Sequence, residues 1–130
     1  MIVESVPCRV LIVDDHEVVR EGLKRIFKSL QDIEMVGEAV NGPQAIELTE
    51  RLKPDVVLMD VSLGDMSGVE VTRRILDQNP HVRVIGLSMR NDEETAGAMR
   101  AAGAAAYLDK SGSSKALIET IRNCMRGTNP

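Results

Sequence analysis

Five short apolar runs rich in β-branched residues alternate along this chain with amphipathic segments, and that order leaves few folds open. The runs are residues 9–13, 34–40, 56–59, 82–87 and 106–108. After the first, residues 16–30 set Val19, Leu23, Ile26, Phe27 and Leu30 on one helical face, and residues 43–52 carry Ile46, Leu48 and Leu52 inward. Asn41-Gly42 supplies a turn and Pro43 suits a first helical position. Asn79-Pro80 stops a helix over 67–78, because proline disfavours helical geometry in the residue before it. Gly103 is a left-handed cap for a helix over 93–102. The last helix, 114–125, turns Leu117, Ile118 and Ile121 to the core. The run at 56–59 is apolar throughout, as a strand covered on both faces should be. The pattern predicts an α/β, doubly wound five-stranded parallel sheet with helices on both faces and right-handed crossovers.

A chain of 130 residues fits one domain able to bury a single core. Its net charge of −4 offers no excess of Lys and Arg for phosphate backbones or anionic membranes, so no nucleic-acid contact is expected from this domain itself. Cys8 and Cys124 have no Cys-x-x-Cys or His partner spacing and read as inert thiols in a reducing compartment. The start lacks a basic segment followed by a long apolar core, and no apolar run approaches the roughly 18 residues of a membrane span. A cytoplasmic location is expected.

In an open parallel sheet, function gathers at the carboxyl ends of the strands. The first strand ends in Asp14-Asp15, the third in Asp60, the fourth in Ser88 and the fifth in Asp109-Lys110. Taken singly, an Asp after a strand is a turn residue or cap, a Ser is bland, and a Lys is a solvated charge. Together they bring three carboxylates, a hydroxyl and an amine to one rim. Carboxylates within about 4 Å repel by roughly 4 kcal/mol per pair at an effective dielectric near 20, so the cluster demands positive charge. Lys110 supplies one. The rest points to a hard divalent cation with oxygen ligands, Mg²⁺ rather than zinc, since no His or Cys converges. His16, opening a helix, reads as a surface group rather than a ligand. A carboxylate-held cation with open positions binds phosphoryl oxygens, and one carboxylate then attacks phosphorus. Asp60, alone at the end of the central strand, is the candidate nucleophile, and Asp14 and Asp15 are the candidate metal pair. The cation, Lys110 and Ser88 would neutralise the transferring group.

These residues resemble the receiver domain of bacterial two-component response regulators, the CheY-like (flavodoxin-like) fold with strand order 2-1-3-4-5. The resemblance covers about Arg9 to Cys124 and rests on VLIVDDHEVVREGL, PDVVLMDVSL-x-x-MSG, GLSM and AAGAAAYLDK. The wording DDHEVVREGL, with MVGEAVNG and LSM, is similar to the NarL/FixJ (LuxR-type) branch, whose members usually carry a C-terminal helix-turn-helix DNA-binding domain. The resemblance implies that Asp60 is the phosphoacceptor, that Asp15 binds Mg²⁺ directly and Asp14 mostly through water, and that the Ser62 backbone carbonyl is a further ligand. It implies that Lys110 pairs with phosphoryl oxygens, that Ser88 bonds one of them, and that Tyr107 is the aromatic switch residue. The implied partners are a sensor histidine kinase and a second copy on phosphorylation. The implied chemistry is self-phosphorylation and autodephosphorylation rather than turnover of a substrate.

Leu63-Gly64-Asp65-Met66 stands where the family usually has Met-Pro-Gly-Met, so a looser and more acidic loop is expected beside the metal. Ala106 replaces a frequent Gly before Tyr107. On this reading residues 1–8 are a lead-in, 9–126 the receiver and 127–130 the start of a linker or tail, and the chain is either a stand-alone receiver or a piece of a longer regulator. Arg20, Lys24, Arg25 and Lys28 read as a solvated helix face, with a kinase-facing patch as the sharper alternative. A haloacid-dehalogenase-type phosphatase would want a second Asp where Ser62 stands. A flavin binder would not place Asp14-Asp15 in its phosphate loop, and no P-loop motif occurs. The remaining alternative is a phosphorylation-independent interaction module on the same fold.

Overall fold

The computed structural model describes residues 6–64, 66–89 and 92–126. Strands and helices alternate without exception: β1 (Cys8–Val13), α1 (Glu17–Lys28), β2 (Ile33–Ala39), α2 (Gly42–Leu52), β3 (Val56–Asp60), α3 (Gly68–Gln78), β4 (Arg83–Ser88), α4 (Glu93–Ala101), β5 (Ala106–Asp109) and α5 (Ser114–Met125). All pairings are parallel and the strand order is β2-β1-β3-β4-β5, the order the resemblance implied. β1 opens at Cys8, one residue inside the stretch read as a lead-in. Asp60 and Ser88 are the last residues of their strands rather than the first of the loops, because they still pair across the sheet, Asp60 with Leu87 and Ser88 with Asp109. Residues 65 and 127–130, which carry the acidic-loop and linker expectations, lie outside the described residues.

The pleat divides the core in two. Val10, Ile12, Val56, Leu58 and Ile85 face α1 and α5, where they meet Leu23, Phe27, Leu117 and Ile121. Leu11, Val13, Val57, Met59 and Val84 face α2, α3 and α4, where they meet Ala45, Val71, Ile75 and Met99. Alternate side chains of one strand thus enter opposite cores, which is why β1 and β3 had to be apolar at nearly every position. Each fully buried Leu, Ile or Val contributes about 1.5–3 kcal/mol over its exposed state. Cys8 and Cys124 lie in the α1/α5 core with free thiols, and burial pushes the Cys8 thiol up to about 12, so neither is a ready nucleophile.

α2 carries Ile46, Leu48 and Leu52 against the core as expected, half-buried, and sets smaller residues closer in. Its fully buried positions are Gly42, Ala45 and Thr49. The small residues let the helix lie close to the sheet, and Thr49 satisfies its hydroxyl by donating to the Ala45 carbonyl at 2.7 Å. The expected helix stops are present. Gly103 has φ +107, and Asn79 ends α3 while donating its side-chain amide to the Ile75 carbonyl.

The start of α3 comes against the end of β3. A Cβ on Gly68 would stand 2.5 Å from the Val61 Cα and 2.7 Å from the Asp60 carbonyl oxygen, both backbone atoms. Gly97, in α4, has no atom within 4 Å of the same position. Gly68→Ala is therefore expected to lower stability by about 1–3 kcal/mol, as overpacking does. Gly97→Ala is expected to raise it by about 0.5–1 kcal/mol, the helix-propensity difference. Urea unfolding of the two variants beside the parent protein checks both signs.

Candidate functional site

The carboxyl ends of β1, β3, β4 and β5 deliver their polar residues to one rim. Asp14 and Asp60 are each 1% exposed, and Ser88 is also buried. The backbone fixes both acids. The Asp14 N–H donates to the Ala39 carbonyl at 3.0 Å, continuing the β1–β2 ladder one residue beyond the strand. The Ser62 N–H donates to Asp60 Oδ1 at 3.0 Å. Lys110 reaches in from the end of β5, its side chain only 5% exposed, with Nζ 2.7 Å from Asp14 Oδ2 and 3.2 Å from Asp60 Oδ2. Its own N–H donates to the Ser88 carbonyl at 2.8 Å, which ties the lysine to β4. The ammonium balances the two oxygens by charge and proximity.

Asp15 and His16 form the outer wall. The Asp15 side chain is 38% exposed and that of His16 60%. His16 is exposed, as its reading as a surface group expects, and its ring also turns toward the acids. Its N–H donates to Asp14 Oδ1 at 2.9 Å, and its ring Nδ1 lies 2.8 Å from the same oxygen and 3.2 Å from Asp15 Oδ1. Asp14, Asp15, His16 and Asp60 each place one potential ligand atom within 4.8 Å of all the others. Arg20, read from the sequence as part of a basic helix face, has a bracing role that the sequence did not show. It donates from Nη1 to the Asp14 carbonyl and from Nε to Glu38, both at 2.8 Å, so it braces the loop behind the acids. Lys24 pairs with Glu21 and Glu38. Arg20 and Lys24 of the basic stretch on α1 are thus committed to intramolecular partners, and the Arg20 side chain is only 13% exposed.

Electrostatics separate the two buried acids. Burial pushes the Asp60 carboxyl above the ordinary carboxylate range and the Asp14 charge adds to it, against the pull of the Ser62 N–H and Lys110. Burial acts on Asp14 in the same sense, but Lys110 and the two His16 contacts outweigh it and hold this carboxyl below its usual value. Two buried acids of opposite tendency beside one ammonium leave a surplus of negative charge. Carboxylate oxygens in that setting fit a hard divalent cation.

Tyr107 pairs with Gly86 across β4 and β5, and its ring lies over that glycine beside Met99. A Cβ on Gly86 would stand 3.0 Å from Tyr107 Cδ1 and 2.9 Å from Met99 Cε. Tyr107 and Ser88 therefore sit two residue pairs apart at the end of the sheet, Tyr107 half-buried.

Residues 10–122 match the response regulator receiver domain. The chain belongs to that family. This receiver is 38% identical over 119 residues to the transcriptional regulatory protein DegU of Brevibacillus brevis, covering 92% of this chain and 50% of DegU. It is 41% identical over 120 residues to the response regulator protein VraR of Staphylococcus aureus, covering 92% of this chain and 57% of VraR. The receiver spans about half the length of the curated relatives it matches. Its fold superposes on a LuxR-family two-component response regulator from Aurantimonas sp. SI85-9A1 with a TM-score of 0.90 at 31% identity, covering 95% of this chain and 89% of the other. No helix among the described residues is long and apolar enough to cross a membrane.

The divergent acids of this receiver give a signed pH dependence. A carboxyl raised on folding binds its proton more tightly in the native state, so the contribution of Asp60 is fully present below about pH 3.9 and is lost as pH rises through its elevated native value. Asp14, lowered on folding, contributes above that pH and loses its contribution as pH falls through its native value. At neutral pH without divalent metal, Asp60→Asn is expected to stabilise the receiver by an amount on the order of 1 kcal/mol, and the gain should vanish toward about pH 3. Urea titrations of both proteins at several pH values, with chelator present, measure it.

Proposed function

We propose that this receiver takes a phosphoryl group from a sensor histidine kinase onto Asp60, with Mg²⁺ held by Asp15, Asp60 and the Ser62 backbone carbonyl, and by Asp14 mostly through water. The observation that carries this reading is the buried Asp14–Lys110–Asp60 group, in which two carboxylates share one ammonium and keep a surplus of negative charge. An Asp60 oxygen forms the new bond to phosphorus as the phosphorus–nitrogen bond of the donor phosphohistidine breaks, its electron pair returning to the imidazole. Mg²⁺, when bound, supplies positive charge to the phosphoryl oxygens in transfer. Lys110, already against Asp60, follows the charge as it moves outward onto the phosphoryl group. The Ser62 N–H holds one Asp60 oxygen and so fixes the rotation of the carboxylate. Ser88 donates its hydroxyl to the new phosphoryl group.

The readout follows from position. Ser88 ends β4 two residues beyond Gly86, and the Tyr107 ring lies over Gly86. When Ser88 moves toward the phosphoryl group, Tyr107 turns inward and the face formed by α4, β5 and α5 changes shape. That face pairs two phosphorylated copies and controls a helix-turn-helix DNA-binding domain that is not among these residues. Control of transcription rests on DegU, which is a transcriptional regulatory protein. The receiver acts in the cytoplasm, as a phosphoacceptor capable of self-phosphorylation and autodephosphorylation.

Incubation with Mg²⁺ and acetyl phosphate is expected to add one phosphoryl group by intact mass spectrometry, lost with chelator and lost in Asp60→Asn. A folded protein with no adduct would leave the phosphorylation-independent interaction module as the function. The switch has its own test. A structure with a phosphoryl mimic at Asp60 should show a new Tyr107 rotamer, and an unchanged rotamer removes Tyr107 from the mechanism.

A further inference from the structure

The geometry points to His16 as a nitrogen ligand of the cation site, so that this receiver prefers a divalent transition cation such as Mn²⁺ over Mg²⁺. The inference rests on the proposed metal-assisted phosphoacceptor and adds a ligand to it. Lys110 fills the inner side of the pocket, against Asp14 Oδ2 and Asp60 Oδ2. A cation must therefore enter from the outer side, where Asp15 and His16 stand at the mouth.

Adjacent ligands of an octahedral cation with bonds near 2.1 Å are about 3.0 Å apart, and opposite ones about 4.2 Å. Nδ1 of His16 is 2.8 Å from Asp14 Oδ1, 3.2 Å from Asp15 Oδ1 and 3.9 Å from Asp60 Oδ2. The first two separations are those of neighbouring ligands on one ion, and the third falls between neighbouring and opposite. The imidazole is thus at ligand spacing from three carboxylates without any rearrangement of the backbone. Against Asp14 Oδ1 the ring must donate from Nδ1. To ligate, it moves that proton to Nε2, and the 60% exposure of the side chain leaves the ring open to solvent. Among the described residues, the one hydrogen bond of the ring is that to Asp14 Oδ1, which the cation would replace. His16 is the N-cap of α1, yet its side chain makes no capping hydrogen bond. Neutral imidazole suits transition cations and adds little for Mg²⁺, whose preference is for oxygen.

The test uses Mn²⁺ itself on the whole chain near pH 8. Electron spin echo envelope modulation of the bound Mn²⁺ is expected to show a directly coordinated ¹⁴N, absent in His16→Ala. In the same variant, Mn²⁺ affinity should fall about tenfold while Mg²⁺ affinity, read by displacement of Mn²⁺, changes less than about twofold. Circular dichroism and urea unfolding establish that His16→Ala is folded. Bound Mn²⁺ without nitrogen modulation, or an equal fall in both affinities, overturns the assignment and leaves the oxygen-ligated phosphoacceptor standing. Failure of the parent protein to take up either ion removes the metal site and the His16 assignment together.

Discussion

Two carboxylates withdrawn from water share a single ammonium at the carboxyl edge of the sheet, and the arrangement around them follows from that imbalance. Asp14 and Asp60 are brought together because β1 and β3 are neighbours in register, Val13 against Met59. Lys110 comes from the far edge strand and stays because its own N–H is bonded to Ser88 on β4. Removing either acid eases the repulsion, and removing the lysine strands both charges. Such a centre is costly to the fold and useful only to something that brings positive charge or redistributes negative charge.

The scaffold is stiff where that centre needs it. β3 is buried from end to end, α3 touches its last carbonyl through Gly68, and Arg20 holds the Asp14 carbonyl from α1 while gripping Glu38 on β2. Three elements thus fix the backbone on which the acids stand, and the exposed part of the rim is left to Asp15 and His16. The division suits the proposed phosphoacceptor site, which would admit an ion and a phosphoryl group from outside yet keep its electrostatics constant.

Much of this was legible in the residues because each signal was local. Alternation of period-2 and period-3.6 runs gave the doubly wound sheet, and the polar residue closing each run gave Asp14, Asp15, Asp60, Ser88 and Lys110. What was not legible depended on contacts between distant segments or on side-chain direction. Apolar counting over α2 found Ile46, Leu48 and Leu52 but not the small residues, Ala45 and Thr49, that close approach to the sheet selects. Arg20 looked like one charge of a basic face until β2 placed Glu38 beside it, 18 residues away. His16 looked like a surface group because its exposure is real, and only the turn of its ring back to Asp14 ties it to the acids. The signal available was its place directly after the acidic pair at a helix start, where an i to i+2 contact is short-range.

With one Tyr and no Trp in the chain, all of the long-wavelength aromatic emission of this receiver arises from Tyr107. That ring lies on the flat spot that Gly86 leaves in β4, against the thioether of Met99 and a few ångströms of strand away from Ser88. The molecule therefore carries a native optical probe at the boundary between its acidic rim and its α4–β5 face, with no label to introduce and no second fluorophore to subtract.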